Sequence, residues 1–185
     1  MLRVTWEWIG FEEALDVANT VAVEKGVERD LLARDGEFDR WAAAAAKSPA
    51  LAPDEAAAIP RARRRLLELR EPIRAVIAAT AAGEPPPRGA AAELNRVTRG
   101  SPTWVELGPD GEAYERAGGS PVDRLLARYA RSAIAIAAEG AERLRRCPAP
   151  SCGMFYRPRR EDQRWCSTQC GTRARVARHY RPRNR

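Results

Sequence analysis

Cysteine is missing from the first 146 residues of this 185-residue chain, and histidine occurs only once, as His179. Most of the chain therefore lacks an imidazole base and a thiol nucleophile, the groups most often recruited for proton transfer and covalent catalysis. No P-loop and no Gly-x-Ser-x-Gly pattern compensates, so the chain is not expected to be an enzyme. Long apolar runs are also missing. The longest stretch, "SAIAIAAEGAERL", is broken by Glu139, Gly140 and Glu142, which excludes a membrane span there. The opening "MLRVTWEWIGFEEALD" reaches acidic residues too early for a signal-peptide core. A cytoplasmic protein with no membrane partner is the expectation. Lysine is scarce too, with 2 against 30 arginines. That choice follows genomic base composition as easily as function, so the placement of the arginines carries more information than their number.

What is present is a globular composition, 44% apolar and 31% charged, with room for one ordinary domain and a small module. The net charge of +7 is unevenly placed. Residues 143–185 hold 13 arginines against Glu161 and Asp162, a local +11 that leaves −4 for the first 142 residues. A mildly acidic body carrying a strongly basic end points to a polyanionic partner.

The body reads mainly as helix. Phe11, Leu15, Ala18 and Val21 or Ala22 recur at helical intervals, with Gly26 as the stop and a short edge strand at Arg3 to Trp8 before them. A helix follows from Glu37 to Ala46. A longer helical region runs from Asp54 to Ala82, where Pro60 and Pro72 should kink or split it. The triple proline at 85–87 precedes a helix from Arg88 to Val97. Then the period changes: Val105 and Leu107 alternate with Trp104 and Glu106 before Pro109-Asp110-Gly111, which reads as a hairpin. Ser120-Pro121 should cap a helix running to Glu139, with Leu125, Leu126, Tyr129, Ala133, Ile136 and Ala137 inward and Gly140 at its end. The fold expected is α+β, mainly α: a helical domain over 1–142 with a small β element, then a treble-clef-like zinc module over 143–185.

That module rests on Cys147-x4-Cys152-x13-Cys166-x3-Cys170. Two close pairs a dozen residues apart suit one tetrahedral Zn2+, each pair spanning an edge. Disulfides are disfavoured in a reducing compartment, and a reactive thiol would want a partner base that His179 is badly placed to supply. One structural zinc is therefore expected, held by Cys147, Cys152, Cys166 and Cys170. It would supply folding energy that so small a module lacks. The intervening "GMFYRPRREDQRW" is long enough for a hairpin. Ser167 should cap a terminal helix whose first turn holds Cys170.

That helix carries Arg173, Arg175, Arg178 and Arg181, and the expected hairpin before it is rich in arginine at Arg157, Arg159, Arg160 and Arg164. Val176, Ala177 and Tyr180 fall on one side, Arg175 and Arg178 on the other, and Arg173 near the thiolates. Arg159, Arg160, Arg164, Arg173, Arg175 and Arg178 are the candidate nucleic-acid contacts. A solvated basic surface that only offsets the zinc site's negative charge is the alternative.

The residues "CPAPSCGMFY…RWCSTQCGTRARVARHY" resemble the CGNR zinc finger, whose hallmark is a Trp-Cys-Ser step leading to Cys-Gly-Asn-Arg and a basic helix. "ALDVANTV" near the start resembles the opening of the ABATE domain, that finger's usual companion. The resemblance implies a transcription regulator of the stress-induced class. Thr172 stands at the hallmark asparagine, and the last cysteine pair has three intervening residues where many members have four. Asp16, Asn19 and Thr20 match the polar positions of the ABATE opening. They read either as structural ties to a neighbouring loop or as ligand-binding groups for a small-molecule effector. The function expected is zinc-dependent binding of double-stranded DNA, with the body sensing a signal or forming a homodimer. An RNA-binding or protein-interaction module is the alternative.

Overall fold

The computed structural model describes residues 12–180. The strand expected at Arg3 to Trp8, and the places of Phe11 and Arg181, lie outside that range.

Three helices dominate: α4 (Arg63–Ala82), α5 (Arg88–Arg99) and α6 (Pro121–Glu139) pack pairwise on one another, and the short α1 (Glu13–Ala18) lies against α4 and α6. (α2 is Glu37–Ala45 and α3 is Pro53–Ala56.) Leu66, Leu69, Ile73, Val76 and Ile77 of α4 and Leu125, Leu126, Tyr129, Ala133 and Ile136 of α6 are buried at helical spacing, forming one core with Phe38 and Trp41 of α2. The start of α6 follows the expected capping: the Asp123 N–H donates to Ser120 Oγ at 3.2 Å, with Pro121 in the first turn. The long helical region is split, as expected, by a turn segment over 57–62 that contains Pro60. Pro72 sits inside α4 without splitting it, because the buried stripe on either side outweighs the one missing backbone hydrogen bond. The hairpin β3 (Thr103–Leu107) and β4 (Ala113–Ala117) closes through residues 108–112, also as expected.

The first segment departs from its sequence reading. The helix stops at Ala18, and the chain turns into a second hairpin, β1 (Val21–Glu24) with β2 (Val27–Asp30). Lys25 and Gly26, both at positive φ (52° and 83°), form its two-residue turn. Positive φ at both central positions is what a tight hairpin with native strand twist demands. Gly26 is thus a hairpin residue and not a helix stop. The apolar spacing through Val21 fits a helix, but the β-branched Val21 and Val23 gain ladder partners as a strand.

This hairpin is held to α4 by charge. Arg70, buried, donates to Asp30 Oδ1 and Oδ2 at 2.9 and 2.7 Å and reaches Thr20 Oγ1 at 3.3 Å. Arg74 pairs with Glu28 at 2.7 Å. Burial pushes the Asp30 carboxyl's pKa up, but hydrogen bonds from Arg70 and the Leu32 N–H outweigh that and leave it below its ordinary 3.8. Folded Asp30 thus takes a proton less readily than unfolded Asp30. Its stabilising contribution is whole above about pH 5 and is lost as pH falls through the lowered value. Acid titration of unfolding should show Asp30→Asn less stable than wild type at neutral pH, with the difference closing as pH falls through the lowered Asp30 value.

Candidate metal centre

The C-terminal module begins with a 3-10 turn (Ala141–Arg143) and a two-residue ladder, β5 (Arg145–Arg146) with β6 (Phe155–Tyr156). The expected hairpin between the cysteine pairs is therefore displaced. It forms around the first pair, with Cys147 and Cys152 in the knuckle between its strands. The knuckle closes because the Cys147 N–H donates to the Met154 carbonyl at 2.8 Å. Ser151 (φ 56°) and Gly153 (φ 70°) supply its left-handed bends. After β6 the chain loops without a strand to α7 (Thr168–His179). Gln163 organises that loop. Its Oε1 accepts from the Arg159 N–H and its Nε2 donates to the Trp165 carbonyl. Its own carbonyl accepts from Tyr156 and Arg145. Ser167 caps α7 as expected, accepting from the Cys170 N–H at 3.2 Å.

These elements bring all four sulfurs within 4.8 Å of one another. The pairs Cys152–Cys166, Cys166–Cys170 and Cys170–Cys152 are 3.7, 3.5 and 3.6 Å apart. A tetrahedron of thiolates about 2.3 Å from zinc has edges of about 3.8 Å, so the donor set fits that ion. The protonation of the cluster makes the same point. Hydrogen bonds from Cys152 and Cys166 pull the Cys147 pKa down, while the pKa values of Cys152 and Cys166 are driven up by their bonds to Cys147 and by burial. Four thiols this close cannot all ionise without a cation among them. Partial charge is met by the protein as well: Arg173 donates to Cys170 Sγ at 3.0 Å and the Cys166 N–H faces Cys147 Sγ at 3.5 Å. Four protein ligands, three of them buried, make the site closed and structural.

The sequence-selected arginines separate into two groups. Arg173, itself exposed, is turned back onto the site, bonding Cys170 Sγ and the Ser151 carbonyl. Arg159, Arg160, Arg164, Arg175 and Arg178 are exposed. Arg160 lies 3.7 Å from Asp162 and Arg175 donates to Thr172 Oγ1. The helix faces differ from the sequence reading. Cys170, Gly171 and Ala174 turn inward, whereas Val176 and Tyr180 are exposed, at 49% and 79%. The metal fixes the rotation of α7, since Cys170 must face the other sulfurs whatever the apolar pattern prefers.

Asp16, Asn19 and Thr20 are all buried, and Asn19 reaches across to the module. Asn19, 6% exposed, donates through Nδ2 to the Phe155 carbonyl at 2.9 Å and accepts from the Phe155 N–H at 2.8 Å. Its amide thus acts as one residue of a partner strand for β6. Thr20 donates to the Val17 carbonyl, and the Asp16 carbonyl accepts from Trp41 Nε1. Three contacts escaped the sequence reading. The Val23 N–H of β1 donates to the Cys152 carbonyl at 2.9 Å. Arg157 bonds Glu139 and Glu12 across the boundary. Phe155 and Leu144 complete the join by entering the body's own core. Gly153 was legible as a glycine directly after a knuckle cysteine: its φ is positive, and a Cβ there would lie 2.6 Å from Val23.

A short ladder, a knuckle and a metal-anchored helix define the class: a four-cysteine zinc finger docked on a helical body. The CGNR zinc finger family model matches residues 143–183. A second, ABATE, described as "Putative stress-induced transcription regulator", matches residues 13–140. The chain belongs to the ABATE family and carries a CGNR finger with one structural zinc. Neither is an enzyme family. No curated protein matches the chain. No helix among the described residues is long and apolar enough to cross a membrane.

Metal analysis should return one zinc per chain. Because Phe155 and Leu144 belong to the body core, stripping the metal with a strong chelator should lower the thermal midpoint of the whole protein in a single transition. Asn19→Ala, which leaves the buried Phe155 N–H and carbonyl unpaired, should cost about 2–4 kcal/mol in urea unfolding with zinc retained. Gly153→Ala should cost roughly 1–3 kcal/mol in the same assay.

Proposed function

We propose that the finger binds double-stranded DNA through α7 and the adjoining arginine-rich loop, and that the chain regulates transcription in the cytoplasm. One observation carries this reading. The zinc site anchors the start of α7, and the rest of the helix presents Arg175 and Arg178 to solvent with no acidic residue along its length. Arg159, Arg160 and Arg164 add exposed positive charge in the loop leading to it. Among the described residues neither Arg175 nor Arg178 has an ion-pair partner, so both are free to neutralise phosphates and release counterions. A helix of 12 residues is about 18 Å long and has the girth of a major-groove reader.

The body's part is to set how the finger is held. Asn19, Val23 and Arg157 join the two, so a signal or a second copy acting on α1, β1 or the end of α6 would reach the finger through those bonds.

Binding to duplex DNA should weaken steeply with salt. Replacing Arg175 and Arg178 by alanine should lower the log-affinity against log-salt slope by about 2, since each phosphate contact contributes roughly 0.9. Zinc content and melting temperature should be unchanged. Tighter binding of single-stranded or A-form RNA than of any duplex DNA would overturn the DNA reading.

A further inference from the structure

The outward face of α7 is not simply basic. At about 100° per residue, Thr172, Val176 and Tyr180 run down the side opposite Cys170, Gly171 and Ala174. Val176 and Tyr180 are the two large apolar residues the helix exposes. The arginines leave this stripe uncovered. Arg173 is drawn back to Cys170 Sγ and the Ser151 carbonyl, Arg175 lies about 100° round the helix from Val176, and Arg178, about 160° round, lies on the far side near Gly171 and Ala174. Arg175 also donates to Thr172 Oγ1 at 3.1 Å. That bond turns the threonine hydroxyl toward the arginine and its methyl away from it. An apolar stripe edged by Arg175, on a helix with no acid and preceded by a loop that exposes Arg159, Arg160 and Arg164, is complementary to a polyanion that also offers apolar groups. Duplex DNA is such a partner, because thymine places its C5-methyl in the major groove.

We propose that α7 reads thymine methyl groups in the major groove through the Thr172 methyl and the Val176 side chain, so that the finger prefers A·T-containing sites. This rests on the DNA-binding reading above. It assigns a role to the residue at the hallmark asparagine: an asparagine would offer an amide for hydrogen bonding to adenine, whereas Thr172 offers a methyl. Arg175 serves both parts, taking phosphate and fixing the Thr172 rotamer.

The test uses the full-length zinc-loaded protein and two random-sequence duplex pools, one made with thymidine and one with deoxyuridine, which lacks only the C5-methyl. Each methyl contact is worth about four-fold in affinity. Wild type should therefore retain the thymidine pool about 4- to 16-fold more strongly. Val176→Ala, at an exposed helix position where alanine is well tolerated, should reduce that preference about four-fold with the salt slope unchanged. Thr172→Ser, which keeps the hydroxyl and removes the methyl, should reduce it similarly. Equal retention of both pools with a normal salt slope would overturn the methyl reading and leave DNA binding standing. A preference that survives both substitutions would also overturn it. Loss of all salt-dependent duplex binding in wild type, including capture of a protein partner by α7 in its place, would overturn both readings.

Discussion

Four thiols within 4.8 Å of one another cannot all give up their protons unless a cation sits among them. That constraint organises the C-terminal quarter of the molecule. The module has few large apolar side chains of its own, and two of them, Leu144 and Phe155, are lent to the neighbouring core. What is left around the sulfurs is Ala149, Met154, Tyr156, Trp165 and Ala174, too little to hold a knuckle, a loop and a helix in register. The metal replaces a hydrophobic core, and it also fixes the rotation of α7. The exposure of Val176, Tyr180, Arg175 and Arg178 follows from the requirement that Cys170 face inward.

The finger is built into the body and not merely tethered to it. α4 anchors the β1–β2 hairpin through Arg70 and Arg74, and β1 in turn holds the knuckle by the Val23 N–H to Cys152 carbonyl bond. Asn19 satisfies both backbone groups of Phe155. Asn19 and Arg70 are buried polar groups with partners, which is where removal costs most. The geometry ties zinc occupancy to the packing of α1, so the finger and the first turns of the body should be stable or unstable together.

Much of this was legible along the chain. The cysteine spacing named the ligands, Ser167 and Cys170 located the start of α7, and Ser120-Pro121 located α6, because ligand spacing and capping are local chemistry. The −4 and +11 halves placed the exposed charge. Three features were not legible. The segment after Ala18 has helical spacing but folds as a hairpin, because its partners, Asp30 with Arg70 and Cys152 with Val23, lie elsewhere in sequence. The β ladder of the finger forms around the first cysteine pair and not between the pairs, because closing the knuckle brings Arg145–Arg146 against Phe155–Tyr156. The inward face of α7 was assigned to its apolar residues, whereas the metal decides it.

By itself, then, the sequence determined which atoms hold the metal, where the principal helices start and stop, and which end of the molecule is basic. Those properties depend on neighbours a few residues apart or on composition. Only the tertiary structure decided what Asn19 is for, which arginine serves the thiolates and which remain exposed, and which side of α7 faces outward. Those outcomes depend on pairings across up to 136 positions and on the fixed directions of sulfur–metal bonds, neither of which is written in local pattern.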